Sequence, residues 1–125
     1  MVPHILLVED NAFVIGALRL LLEETGHRVS DARSVAAAAR VLLDDPPDVV
    51  LLDLTLGNED GLTLMSSIDV GRGPLPIVVA LTGHDDVATV ERCTAAGCRA
   101  VLVKPIAPLK LKGQIAEWLG GRVVA

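Results

Sequence analysis

Two short apolar runs, each followed by acidic residues, constrain the fold of this chain most strongly. The runs are residues 5–8 (Ile-Leu-Leu-Val) and 49–52 (Val-Val-Leu-Leu), and Glu9, Asp10 and Asp53 follow them directly. An apolar run of this length, bounded by polar residues, is typical of a strand buried on both faces of a parallel sheet. If the two strands are parallel and adjacent, the three carboxylates meet at the carboxyl edge, where open α/β sheets bind ligands.

Three carboxylates at one edge of a sheet repel each other unless a cation joins them. A cluster of hard oxygen ligands suits Mg²⁺. The pattern therefore predicts a metal-dependent phosphate site. The alternative is that Glu9 and Asp10 only begin a solvated loop, and this pair by itself does not decide between the two interpretations.

Segments with strand character alternate with segments of helical spacing along the whole chain. Strands are predicted at residues 5–8, 28–32, 49–52, 77–81 and 99–103, and helices at residues 12–25, 35–43, 60–70, 85–96 and 108–119. Gly26 and Gly97 are suitable helix stops, and Ser34 and Asp60 are suitable N-caps. The alternation predicts an α/β fold, a doubly wound five-stranded parallel sheet with five helices on its two faces.

Composition limits location and partners. A length of 125 residues suits one domain. No apolar stretch reaches membrane-spanning length and no secretory signal is visible, so we expect a cytoplasmic protein without a membrane partner. A net charge of −5 without a long basic stripe argues against direct nucleic-acid binding. Cys93 and Cys98 lack the CxxC spacing of a metal site and are expected to be free thiols, and His4 and His27 are expected at the surface.

Four motifs follow successive predicted strands: Glu9-Asp10, Asp53 with residues 54–61, Thr82-Gly83 and Lys104-Pro105. Together, over essentially the whole chain, they resemble the receiver domain of bacterial response regulators, the CheY-like domain of two-component signalling. The resemblance implies a flavodoxin-like sheet of order 2-1-3-4-5 and a cis peptide before the proline. It leads us to expect that residues 1–125 are a single receiver domain without an output domain, although they would also fit the first domain of a longer regulator.

The resemblance implies that Asp53 is the phosphoacceptor in a phosphorelay or two-component pathway. Its carboxylate would take a phosphoryl group from a histidine kinase or a histidine phosphotransfer domain. Asp10, Asp53 and the backbone carbonyl of Thr55 would ligate Mg²⁺, with Glu9 close by or bound through water. The cation is needed because a phosphoryl group cannot approach acidic neighbours without one.

The resemblance further implies that Lys104 pairs with a phosphoryl oxygen and that Thr82 donates its hydroxyl to another. The alternatives are a solvated lysine and a helix cap. Most receivers carry Tyr or Phe three residues before the lysine, where this chain has Val101. This difference favours a relay or single-domain receiver with a small output switch. The alternative is that the valine simply packs there and output uses another face. Thr55 and His84 lie at positions that flank the attacking water in this family and would modulate the lifetime of the acyl phosphate.

Docking is predicted at the start of the first helix, where Phe13, Val14 and Ala17 would contact the phosphodonor. The alternative for Phe13 is a place in the core. The fourth helix, fifth strand and fifth helix form the face through which receivers dimerise or signal, which here would include Val90, Val101 and Lys110. A homodimer through this face is therefore possible.

Three other functions compete with a phosphorylated receiver. A degenerate receiver would act only as a protein-interaction domain, independently of phosphorylation. A Mg²⁺-dependent aspartyl phosphatase would usually need a second aspartate where this chain has Thr55, so chemistry beyond self-directed phosphoryl transfer and autodephosphorylation is not expected. A flavodoxin-like cofactor module would need a phosphate-cradling loop at residues 9–11, where Glu-Asp-Asn would repel phosphate without a metal.

Overall fold

A parallel sheet of five strands forms the centre of the computed structural model, which describes residues 2–68, 73–84 and 86–120. In chain order the strands are β1 (His4–Val8), β2 (Arg28–Ala32), β3 (Val49–Asp53), β4 (Thr55–Leu56), β5 (Glu59–Asp60), β6 (Ile77–Thr82) and β7 (Ala100–Val103). The large sheet has the order β2-β1-β3-β6-β7, and all of its pairings are parallel. When β4 and β5, which form a separate hairpin, are left out of the numbering, this is the order 2-1-3-4-5 that the resemblance implied. The predicted fold class is confirmed.

Helices connect the strands of the large sheet. They are α1 (Ala12–Glu24), α2 (Val35–Asp44), a 3-10 helix (Gly61–Ser67), α3 (Val87–Ala96) and α4 (Pro108–Gly120). Ser34 and Asp60 are N-caps as predicted, accepting hydrogen bonds from the backbone N–H groups of Ala37 and Leu62. The third helix is shorter than predicted, and the end of its predicted span at residues 69–70 lies outside the described residues. Within the described ranges, no helix combines the length and the apolar character needed to cross a membrane.

Two core layers lie on opposite faces of the sheet, because successive side chains of a strand point to opposite faces. In β1, all of whose residues are buried, Ile5 and Leu7 pack into one layer, and Leu6 and Val8 into the other. The first layer includes residues of α1 and α4, and the second includes residues of α2 and the 3-10 helix. Burial on both faces explains why the central strands read as continuous apolar runs.

His4 is buried, so the expectation of a surface histidine was wrong. Its side chain lies at the start of the central strand β1 and is only 2% exposed. Nε2 lies 2.7 Å from Ser30 Oγ, and Nδ1 lies 3.9 Å from Asp45 Oδ1. Burial, and next the positive charge of Arg28, lower the pKa of His4. His27 is half-buried, with Nδ1 2.8 Å from Thr25 Oγ1.

Candidate functional site

The sheet brings the three predicted carboxylates together at its carboxyl edge. β1 and β3 are adjacent, with Val8 paired to Leu52, so the residues that follow them emerge side by side. Glu9, Asp10 and Asp53 each offer one oxygen, and these oxygens all lie within 4.8 Å of one another. Glu9 and Asp53 are buried, whereas Asp10 is exposed. The cluster therefore opens to solvent on the side of Asp10.

Lys104 joins two of these carboxylates. Its Nζ donates to Asp53 Oδ2 at 2.5 Å and to Glu9 Oε2 at 3.0 Å. The residue follows the last strand of the sheet, and its backbone N–H donates to the Thr82 carbonyl at 2.8 Å. The Lys104–Pro105 peptide bond is cis, as the resemblance implied. Lys104 is therefore an ion-paired residue of the cluster and not a freely solvated lysine.

Burial and charge oppose each other in this cluster. Burial raises the pKa of Glu9, although hydrogen bonds from Lys104 and from the Asn11 backbone N–H act in the other direction. Burial also disfavours the charged form of Lys104, but its hydrogen bonds to Asp53 and Glu9 outweigh this and raise its pKa. The lysine therefore stays charged, and one ammonium group contacts two of the three acidic side chains.

The β4–β5 hairpin holds two of the carboxylates in place. The Thr55 N–H donates to Asp53 Oδ1 at 2.9 Å, and the Gly57 N–H donates to Asp10 Oδ2 at 2.8 Å. Gly57 has a φ of +59°, in the left-handed region that favours glycine. Sequence reasoning missed this hairpin. Its signal is Gly57-Asn58, a two-residue turn pair between the two short strands.

Thr82 and His84 lie in the loop after β6. Thr82 is buried, and its Oγ1 accepts a hydrogen bond from the His84 N–H at 3.1 Å. The N-cap of α3 is Asp86, whose Oδ1 accepts from the Thr89 N–H at 2.9 Å, so Thr82 is not the cap of this helix. His84 is exposed. Both predicted residues therefore lie at the same edge of the sheet as the carboxylates.

Phe13 is 91% exposed, which excludes the alternative that it packs in the core. Val14 is half-buried and packs against the core, and Ala17 is exposed. The three residues line a groove of about 760 Å³ that is also lined by Lys104 and Pro105. The predicted docking residues thus lie beside the carboxylate cluster.

The predicted dimer face consists of α3, β7 and α4. Val90 and Lys110 are exposed on its two helices, and Val101 is half-buried on β7. These placements leave the predicted homodimer face accessible, and the homodimer stays a prediction.

Comparison with known proteins decides the family. The sequence profile of the response regulator receiver domain matches residues 5–116 of this chain. The chain belongs to the response regulator receiver domain family. Receivers of this family act in two-component signalling, and they bind Mg²⁺ at an acidic cluster of the kind formed here by Glu9, Asp10 and Asp53.

Relatives and solved structures agree with this assignment. The alginate biosynthesis transcriptional regulatory protein AlgB of Pseudomonas aeruginosa is 35% identical over 116 residues, covering 93% of this chain and 26% of the relative. The transcriptional regulatory protein PhoP of Escherichia coli K12 is 34% identical over 102 residues, covering 82% of this chain and 45% of the relative. The receiver therefore spans less than half the length of either relative.

Two solved structures show the same fold. The CheY-like response regulator receiver domain protein of Methanospirillum hungatei has a TM-score of 0.88 at 22% identity, with 98% of this chain and 97% of that chain covered. A putative response regulator of Chloroflexus aurantiacus has a TM-score of 0.83 at 27% identity, with 96% of this chain and 99% of that chain covered.

The residues present fit a divalent metal. Three carboxylate oxygens within 4.8 Å of one another provide hard ligands. Lys104 contacts two of these carboxylates, Glu9 and Asp53, whereas Asp10 Oδ2 accepts its hydrogen bond from the uncharged Gly57 N–H. The fit therefore rests on an excess of negative charge that a cation offsets.

Proposed function

We propose that this receiver accepts a phosphoryl group on Asp53 from the phosphohistidine of a histidine kinase or histidine phosphotransfer domain, in a reaction that depends on Mg²⁺. The observation that carries this proposal is the setting of Asp53. Its carboxylate is buried at the sheet edge, bound to Lys104 Nζ at 2.5 Å, and grouped with Glu9 and Asp10. A carboxylate with no chemical role rarely occupies such a position, because each buried charge carries a desolvation cost.

In the proposed step, a carboxylate oxygen of Asp53 attacks the phosphorus of the phosphohistidine. The new O–P bond forms as the N–P bond breaks, and the imidazole leaves with the bonding pair. Lys104 is already held at Asp53 by its ion pairs, so its charge is in place when a phosphoryl oxygen arrives. Thr82 would donate its hydroxyl to another phosphoryl oxygen.

Asp10, Asp53 and the backbone carbonyl of Thr55 would hold Mg²⁺, with Glu9 beside them. The metal would offset the repulsion between the incoming phosphoryl group and the carboxylates. Thr55 and His84, both exposed next to the cluster, would modulate the access of water to the acyl phosphate and hence autodephosphorylation. Val101 provides no aromatic ring behind Thr82, which favours a relay or a small output change.

Phe13, Val14 and Ala17 would form the docking surface for the phosphodonor. An exposed aromatic ring beside an active site is the kind of residue that contributes most to a protein interface. Lys104, which contacts Asp53, lines the same groove, so a partner bound there would lie next to the phosphoacceptor.

Phosphorylation is tested with acetyl phosphate, with and without Mg²⁺, by intact mass. We expect a gain of one phosphoryl group, about 80 Da, that requires Mg²⁺ and is lost in Asp53→Asn. Asp44→Asn is the matched control, because Asp44 is an exposed carboxylate at the end of α2, ion-paired to Arg40. A wild type that gains no mass, and that does not respond to beryllofluoride, would leave the phosphorylation-independent interaction domain as the better function.

Docking is tested separately with a phosphorylated histidine phosphotransfer domain as donor. Phe13→Ser should slow transfer from this donor and leave labelling by acetyl phosphate unchanged, because the ring is exposed and is not a member of the carboxylate cluster. Leu43→Ser, an exposed apolar residue of α2, is the control. Equal transfer rates for the two variants would refute the docking surface without affecting the phosphoacceptor.

A further inference from the structure

Helix α3 ends in a Schellman motif that contains both cysteines. Gly97 has a φ of +103°, and its N–H donates to the Thr94 carbonyl at 3.1 Å. The Cys98 N–H donates to the Cys93 carbonyl at 2.9 Å. These two hydrogen bonds define the motif, with Cys93 four positions before Gly97 and Cys98 directly after it.

The side chains at these two positions of a Schellman motif commonly pack against each other, usually as a hydrophobic contact. Here both positions are cysteine, and both thiols are free. Cys93 is fully buried, whereas Cys98 is half-buried. Each thiol influences the pKa of the other. The backbone motif therefore brings the two cysteines together, and Cys98 is the more exposed residue of the pair.

We propose that Cys93 and Cys98 form a modification site, a dithiol that a low-molecular-weight disulfide oxidises to an intramolecular disulfide. The bond would covalently join the last turn of α3 to the segment that enters β7. This site is separate from the carboxylate cluster and does not depend on phosphorylation of Asp53.

The reaction proceeds by two thiol–disulfide exchanges. The Cys98 thiol loses its proton, and its sulfur attacks one sulfur of the small disulfide, releasing the other as a thiolate. Cys93 then loses its proton and attacks the Cys98 sulfur, which breaks the mixed disulfide and releases the second small thiolate. The released thiolates take up the two protons, so the protein is oxidised by two electrons and the small disulfide is reduced to two thiols.

Cys98 is the entry point because Cys93 is fully buried. Burial raises the pKa of the Cys98 thiol to about 12 and also raises that of Cys93. The thiolate is therefore scarce near neutral pH. We expect a slow reaction whose rate rises about tenfold for each unit of pH, since exchange requires the thiolate.

The consequence for the receiver lies in α3. This helix follows the loop that carries Thr82, and β7 leads to Lys104. A bond from Cys93 to Cys98 would fix the end of α3 to the segment that enters β7. Any movement of the helix end away from that strand would then be blocked, and the redox state would limit how far α3 can respond.

The test treats the native protein with oxidised glutathione at mildly alkaline pH, blocks remaining thiols with N-ethylmaleimide in denaturant, and measures mass. Both cysteines lie between Arg92 and Arg99, so trypsin releases them on one peptide, residues 93–99. We expect the wild-type peptide to be about 2 Da lighter than the same peptide in its reduced, unblocked form, because forming a disulfide removes two hydrogens. Cys93→Ala should instead retain one glutathione on Cys98, and Cys98→Ala should keep Cys93 reduced.

Three results would overturn the proposal. A wild type that retains glutathione on Cys98 would show that Cys93 does not reach it. A wild type that stays reduced, whether or not Cys93→Ala is modified, would show that no dithiol site exists. A disulfide between two chains would show that the thiols pair outside the motif. Because the reaction is read on the wild type itself, poor folding of either variant does not prevent the decision.

Discussion

Replacing Gly61 by alanine, which adds a single methyl group, should disturb the phosphoacceptor Asp53. Gly61 lies at the start of the 3-10 helix, and its N–H donates to the Leu54 carbonyl at 2.9 Å. A Cβ added there would overlap the backbone carbonyl oxygen of Asp53 and lie 3.0 Å from its carbonyl carbon. Because the obstacle is backbone, no rotamer change relieves it, and the end of β3 must shift.

The magnitude follows from two opposing effects. Overpacking in a well-packed region costs about 1–3 kcal/mol, and the overlap with backbone places Gly61→Ala at the upper end. Replacing glycine by alanine in a helix returns about 0.5–1 kcal/mol of backbone entropy. We therefore expect a net loss of about 2 kcal/mol in the free energy of unfolding, together with slower phosphorylation of Asp53 by acetyl phosphate.

Gly113→Ala is the matched control. Gly113 is exposed within α4, and a Cβ there would meet nothing within 4 Å. The same chemical change should therefore raise the free energy of unfolding by about 0.5–1 kcal/mol. Urea denaturation followed by circular dichroism measures both variants. The reasoning is refuted if Gly61→Ala is as stable as wild type, or if the two variants change stability in the same direction.

Three further changes have expected outcomes that urea denaturation measures. Folding lowers the pKa of His4 from 6.5, so near that pH His4 binds more protons in the unfolded state than in the folded state. The stability that neutral, buried His4 contributes is therefore complete above pH 6.5 and is lost as the pH falls through the pKa of the folded state. His4→Gln should therefore flatten the acid-side decline, and an unchanged slope would contradict this. Asp86→Ala removes the α3 N-cap and should cost about 1 kcal/mol; no loss would argue against the cap. Leu22→Ala leaves a cavity at a fully buried position and should lower the free energy of unfolding by about 2–5 kcal/mol. Leu20→Ala, at an exposed position, should change it by no more than about 0.5 kcal/mol. Equal losses in the two variants would contradict the core assignment.

The sheet and the carboxylate cluster were predictable because their signals are local and strong. Buried central strands must be apolar throughout, so residues 5–8 and 49–52 identify β1 and β3. Adjacent parallel strands end at the same edge, which places Asp10 and Asp53 together without further information. Assigning Lys104 to the site required the resemblance, because 51 residues separate it from Asp53, and its contact with both buried carboxylates was not predicted.

The features that sequence reasoning missed depend on tertiary contacts. His4, which precedes the apolar run at residues 5–8, was expected at the surface. It is buried because β1 is central, and its backbone N–H donates to Asp48 Oδ2 at 2.8 Å. The β4–β5 hairpin has strands of two residues each, too short for any alternation to appear. The state of Phe13 could not be predicted either, because exposure of one apolar residue leaves no pattern in the sequence.

The central position of β1 also determines the order in which the sheet can assemble. Ile5 of β1 pairs with Val29 of β2 on one side and with Val49 of β3 on the other. Both edges of β1 are therefore hydrogen-bonded only once β3 has joined the sheet. Closing that longer loop costs chain entropy before the new contacts compensate for it. A chain that ended before residue 49 would leave one whole edge of β1 without hydrogen-bonding partners. The N-terminal half should therefore not fold by itself, and the sheet should form only after β3 has been synthesised.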